Sequence, residues 1–236
     1  MFLRSVFILT SVFAAEGAWG ETFRFPATYI QVESRLITHI DTLQKKINEK
    51  RAFVNEKESE LYTLSEAITG NTLTLSNRAR AQVKDIMSTG TRLLFNDLRF
   101  NQEFMDVNYD FNDAVEKFEK GGEFPSASTI YKYLLSRTYF YSRLPVAVSE
   151  VLESTRREKR RNIDSSQSSK ADFSAGTDLV NKSGPFYVYV EKSLEVDNLT
   201  QLKADLEQIL SFTMSRPSLI KRTQAFCLRT LASLNK

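Results

Sequence analysis

Residues 36–68 read LITHIDTLQKKINEKRAFVNEKESELYTLSEAI. Within them Leu36, Ile40, Leu43, Ile47, Val54, Leu61, Leu64 and Ile68 recur at steps of three, four and seven. That spacing gathers side chains into one helical stripe, the a/d seam of a coiled coil. It predicts a single long helix over 25–68, closed by Gly70 and Asn71. Lys50 and Lys57 interrupt the seam at d-type positions. Their ammonium heads must leave an apolar seam for water, which an isolated two-stranded coil tolerates poorly. Packing against a second helix of the same chain tolerates it better. The seam is therefore expected to mate with another helix, in cis or as self-association.

Outward from this stretch the same period continues. Val83, Ile86, Met87, Leu93, Leu94, Leu98, Phe104, Val107, Phe111, Val115 and Phe118 predict a second long helix over 76–120, stopped by Gly121 and Gly122. Two long helices joined by a short turn make an antiparallel hairpin. A third helix is expected from Ser126 or Ser128, either of which can cap it. It carries Ile130, Tyr131, Leu134, Leu135, Tyr139, Phe140 and Leu144, and Pro145 is expected to kink or break it. Ser165 to Ser174 reads as a polar linker. Pro185 to Val190 has the residue types of a strand, but with no partner strand it is expected to open a helix or to add to another sheet edge. Asn198–Met214 and Pro217–Leu234 read as short amphipathic helices, the latter with Ile220, Phe226, Cys227, Leu231 and Leu234 inward.

The expected fold is thus all-α: a long antiparallel helical hairpin or coiled-coil bundle over 21–160, a linker over 161–184, and a smaller helical part over 185–236. Composition agrees. Only 8 Gly and 5 Pro in 236 residues leave few turns, so elements are long. The 42% apolar and 26% charged residues give a folded rather than a disordered balance. A net charge of +3 is too small to argue for nucleic acid.

Residues 1–20 differ from the rest. A short basic start at Arg4, an apolar run over Val6–Ala15 and small residues at Ala18 and Gly20 have the layout of a cleaved signal peptide. The run is too short to cross a bilayer, and no later segment is long and apolar enough to do so. The expected location is outside the cell or the lumen of the endoplasmic reticulum, or the periplasm of a bacterium.

Chemistry is constrained by scarcity. His39 is the only histidine. A metal site built on two histidines is excluded within the chain, and a Ser-His-Asp triad would have to use a mid-helix histidine. No cofactor and no metal site are expected, and the chain is read as no enzyme. Asp106, Asp110 and Asp113 share a helix face, which is more simply a solvated one. Cys227 is the only cysteine, so no disulfide forms within the chain. It is either a buried thiol or a bridge between two chains.

Three further features bear on partners and processing. Tyr131, Tyr133, Tyr139 and Tyr141 crowd the third helix; those left outside would suit a proline-rich peptide, the alternative being plain core packing. Arg157, Lys159 and Arg160 have the spacing that furin-like convertases cut, beside a polar stretch a protease can reach; the alternative is a cationic helix end. Asn181 and Asn198 begin glycosylation sequons.

The segment Glu33 to Ile40, followed by a long charged coil, resembles the start of collagen prolyl 4-hydroxylase α subunits. Phe124 and Pro125, followed by Tyr133 to Tyr139, are similar to that family's segment leading towards its peptide-binding domain. The resemblance covers roughly residues 23–150. It implies subunit association in the endoplasmic reticulum and binding of proline-rich peptide. The family's catalytic domain holds iron with two histidines and an aspartate, which one histidine cannot supply, and the C-terminal third departs from the family. The reading that follows is a non-catalytic secretory helical protein acting in association or protein binding. The alternative is a secreted microbial effector, adhesin or export-apparatus component.

Overall fold

A computed structural model describes residues 28–166 and 184–216, the side chains of 159–166 excepted. Every regular element among them is a helix: α1 Tyr29–Thr69, α2 Thr74–Asn96, α3 Leu98–Glu119, α4 Ala127–Ser166 and α5 Gly184–Met214.

Local chemistry sets the ends. Thr28 and Gln31 form a reciprocal capping box at the start of α1. Gly70 ends it in the left-handed region at φ 65°, its N–H donating to the Glu66 carbonyl. The expected second helix is two. Asp97 adopts an extended ψ of 106°, and its carboxylate accepts from the N–H groups of Arg99 and Phe100. An acid that caps so well ends one helix and begins the next in the same place. The break also changes which residues face in. Leu93 and Leu98, expected inside, are exposed.

The rods form an antiparallel bundle. Phe104 meets Phe140, Phe111 stacks on Tyr133 at 4.0 Å, and Phe118 meets Phe124, so α3 runs against α4. Lys50 meets Glu195 and Tyr189 meets Glu58, so α5 runs against α1. Asp205 and Asn198 meet Tyr141, and Glu191 meets Arg156, so α5 also runs against α4. One core joins all five helices.

Two expectations about the later chain are corrected. Residues 185–190 open a helix, one of the two expected alternatives, but that helix is α5 itself, which begins at Gly184 rather than near Asn198. Its described part packs into the common core beside α1, α2 and α4. Residues 161–166, expected as linker, are the last turns of α4. In α4, Pro145 neither breaks nor ends the helix. Proline leaves the carbonyl four residues earlier without its N–H partner. Here the side-chain amide of Asn198 donates to that Tyr141 carbonyl at 3.1 Å.

Close approach also matters at Gly90, in the middle of α2. A Cβ there would lie 2.7 Å from the Val148 side chain and 3.1 Å from the Val148 backbone. The missing side chain lets α2 and α4 touch.

Candidate functional site

The seam read from residues 36–68 is closed in cis. Leu36, Leu43, Ile47, Val54 and Leu61 are buried, and Ile40, Leu64 and Ile68 are half-buried against the same core. The helix that covers them is chiefly α5. Polar contacts flank this packing. Lys50 donates to Glu195, and Arg80 and Tyr189 both reach Glu58. Burial pushes the Glu195 carboxyl up, but the ammoniums of Lys192 and Lys50 outweigh it and hold it below its usual range. Lys57, the second interruption, swings aside to Glu60 and Glu56. Of the two expected arrangements of the seam, the described residues show the one in cis, α1 packed against α5.

Three of the four α4 tyrosines make contacts within the bundle. Tyr131 is buried and its hydroxyl accepts from Arg35. Tyr133 lies flat on Phe111. Tyr141 is buried and donates to Asp205, whose carboxylate also pairs with Arg137 at 2.9 Å. Burial, with Asp205 beside it, raises the Tyr141 phenol far above its ordinary value. Arg137 in turn lies over the rings of Phe104 and Tyr133. Only Tyr139 is exposed.

Processing and modification sites fare similarly. Arg157, Lys159 and Arg160 lie on the α4 helix. A convertase takes its substrate extended, so the run must unwind before it is cut. Asn198 is buried with its amide nitrogen already engaged, so the folded chain has no room for a glycan there. Asn181, Cys227 and the signal-like residues 1–20 lie outside the described residues.

His39 is half-buried, and its Nε2 has no partner among the described residues. Desolvation first, and Lys46 second, lower its affinity for a proton. No group of three or more His, Cys, Asp or Glu side chains gathers to hold a metal among the described residues. A shallow recess of about 440 Å³ lies between α2 and α5, lined by Lys84, Met87, Ser88, Thr91, Asp197 and Gln201. Desolvation raises its one carboxyl, Asp197, and Arg51 offsets part of that. The other titratable side chain lining the recess is Lys84.

What stands out instead is convex. On α3 the side chains of Leu98, Met105 and Tyr109 are 83%, 56% and 73% exposed. Steps of seven and four place all three on one stripe, opposite the buried Phe100, Phe104 and Phe111. Gln102 and Asn112 lie along the same stripe and are also exposed, so it carries no charge over three turns. Glu103, Asp106, Asp110 and Asp113 line one flank. Asp113 pairs with Lys117 and Glu103 with Arg99, but no described residue pairs with Asp106 or Asp110. The other flank is amide, from Asn101 and Asn108. The acidic face read from the sequence is thus the edge of an exposed apolar stripe. The stripe itself was missed because Phe100, Phe104 and Phe111 give the stronger period, and Leu98 was assigned to the inside.

The class these observations define is an all-α bundle whose described residues include no helix long and apolar enough to cross a membrane. No family model matches the chain, and no curated protein or solved structure does either.

Proposed function

We propose that this chain is a non-catalytic helical protein of the secretory pathway that acts by binding other proteins, with the outer face of α3 as its docking surface. The carrying observation is the stripe of Leu98, Met105 and Tyr109, exposed beside the acids Asp106 and Asp110. Large apolar side chains grouped on one helix face mark contact sites far more than scattered ones do. A groove-free helix face accepts an amphipathic helix by matching apolar ridges, and the acidic flank selects a basic one. The signal-like layout of residues 1–20 supports the compartment. The resemblance to prolyl 4-hydroxylase α subunits points to association as well. Its peptide-binding half has less support, because of the four tyrosines that suggested it Tyr131 and Tyr141 are buried, Tyr133 is stacked on Phe111, and only Tyr139 is exposed.

Cross-linking in secretory-lumen extract tests this reading. Wild-type chain, beginning near Glu21 after cleavage, is expected to give partner links on α3 that Leu98→Gln with Met105→Gln and Tyr109→Gln removes. Identical links from the triple variant, or uncleaved chain retained in the cytosol, would overturn it.

A further inference from the structure

We propose that the α3 face receives α2 of a second copy of this chain and offers its own α2 in return. Two copies then pair antiparallel about a twofold axis beside Arg99. The inference rests on reading this face as a docking surface and names its partner.

Charge points to this partner first. Helix α3 carries six carboxylates against two cations, a net −4. Helix α2, which joins it at Asp97, carries Arg78, Arg80, Lys84 and Arg92 against Asp85, a net +3. The two helices therefore make one rod with a basic half and an acidic half. A parallel pair of such rods sets like charge on like. An antiparallel pair sets each acidic half against a basic half, and does so twice. That is the self-complementarity a twofold interface requires.

Register is the second argument. Arg92 and Asp106 each lie seven residues from Arg99, and Asn96 and Gln102 each lie three. Pairing about Arg99 sets Arg92 opposite Asp106 of the second copy, and Asn96 opposite its Gln102. It also brings the two copies of Leu98, 83% exposed in the single chain, together at the axis. Met105 and Tyr109 then run along α2 of the second copy. Arg92, Asn96, Leu98, Gln102 and Asp106 are all exposed. Arg92 is two residues, about 200° of turn, from both buried Gly90 and buried Leu94. Gln102 is as far from both buried Phe100 and buried Phe104. These side chains therefore project away from the core of their own copy. No described residue pairs with Arg92 or with Asp106. Like charges that this register brings close are balanced within each copy. Arg99, at the axis, pairs with Glu103, and Asp113, which falls opposite Asp85, pairs with Lys117.

Size-exclusion with light scattering on the full mature chain tests the proposal. Wild type is expected to be a dimer at micromolar concentration. R92E and D106R each set like charges face to face at two places in the dimer, so each should weaken dimerisation about tenfold. Mixing the two variants restores both attractive pairs, so equal amounts are expected to give a one-to-one heterodimer as tight as the wild type. Only an interface in which residue 92 meets residue 106 in both directions behaves in this way. A monomeric wild type, single variants that dimerise as the wild type does, or a mixture no tighter than either variant alone would overturn the proposal. A monomeric wild type that still gives α3 links to other proteins in extract, lost in the Leu98, Met105 and Tyr109 variant, would give the face to a foreign helix and leave the docking surface in place. No α3 links of any kind, to a second copy or to another protein, would overturn both.

Discussion

The side-chain amide of Asn198 donates to the backbone carbonyl of Tyr141, the acceptor that Pro145 leaves without an N–H. One residue of α5 thereby repairs a defect in α4 and fixes the register of the two helices. The amide's other atom, Oδ1, is buried with no partner among the described residues, so the bond to Tyr141 is the gain set against that cost. Asn198→Ala leaves the carbonyl buried and unsatisfied, which costs about 1–3 kcal/mol. In a Pro145→Ala background the backbone N–H returns and takes the carbonyl. The cost of Asn198→Ala there is expected to fall below about 0.5 kcal/mol. Urea midpoints of the four chains in this cycle check it; equal costs in both backgrounds would refute the repair.

Gly90 makes the opposite kind of contribution, by having nothing to bury. Alanine would ordinarily gain about 1 kcal/mol over glycine inside a helix. Here the added methyl meets the Val148 side chain and backbone. A clash with backbone cannot be relieved by a rotamer change, and overpacking of this kind costs about 1–3 kcal/mol. Gly90→Ala is expected to lower the melting temperature in spite of its better propensity. Val148→Ala removes only the nearer of the two contacts, so the double variant should recover part of the loss. A stabilised Gly90→Ala protein would show that α2 and α4 are farther apart than described.

The sequence made α1 legible because α1 buries one stripe. Val32, Leu36, Leu43, Ile47, Val54 and Leu61 all face the same way. Helix α5 was legible only in its second half, for a geometric reason. At 100° per residue, buried Phe186, Tyr189, Val190, Ser193 and Leu194 lie on the side opposite buried Leu199, Leu202, Leu206, Ile209 and Thr213. Neighbours cover different sides along its length, so no single period runs through it. Its opening PFYVYV therefore reads as a buried strand, the ambiguity expected of short apolar runs. The break at Asp97 was hidden because apolar residues continue on both sides of it and no Gly or Pro marks it. On α3, the acids at 106, 110 and 113 were visible but the stripe beside them was not, since Leu98 was counted as core and Met105 and Tyr109 were not grouped.

Acid should loosen the protein through His39. An unfolded chain takes up this proton near pH 6.5. In the fold, desolvation and Lys46 hold the imidazole neutral to lower pH. The unfolded state thus binds more protons between these two values, and stability falls as pH falls through that window. Carboxylates held low, such as Glu195, add their own loss only at more acid pH. Melting temperature is expected to decline between pH 7 and 5 in the wild type, by less than a one-proton slope. His39→Leu should flatten that decline, whereas an unchanged slope would place the titrating group elsewhere.

The polar contacts of α5 should differ sharply in weight, and burial decides the order. Lys50 and Glu195 pair at 2.5 Å, but their side chains are 41% and 34% exposed. Water solvates each well once the other is removed, so Lys50→Ala should cost no more than about 1 kcal/mol. Asp205 is 18% exposed and holds both Arg137 and the Tyr141 hydroxyl. Removing it strands a guanidinium between Phe104 and Tyr133 and leaves a buried phenol without its acceptor. Asp205→Ala is therefore expected to cost about 2–4 kcal/mol. Tyr141→Phe, which deletes only the neutral donor, should cost about 1 kcal/mol. Denaturant unfolding of the three variants measures the ranking. If Lys50→Ala proved as damaging as Asp205→Ala, the α1 contact rather than the α4 contact would be what anchors α5.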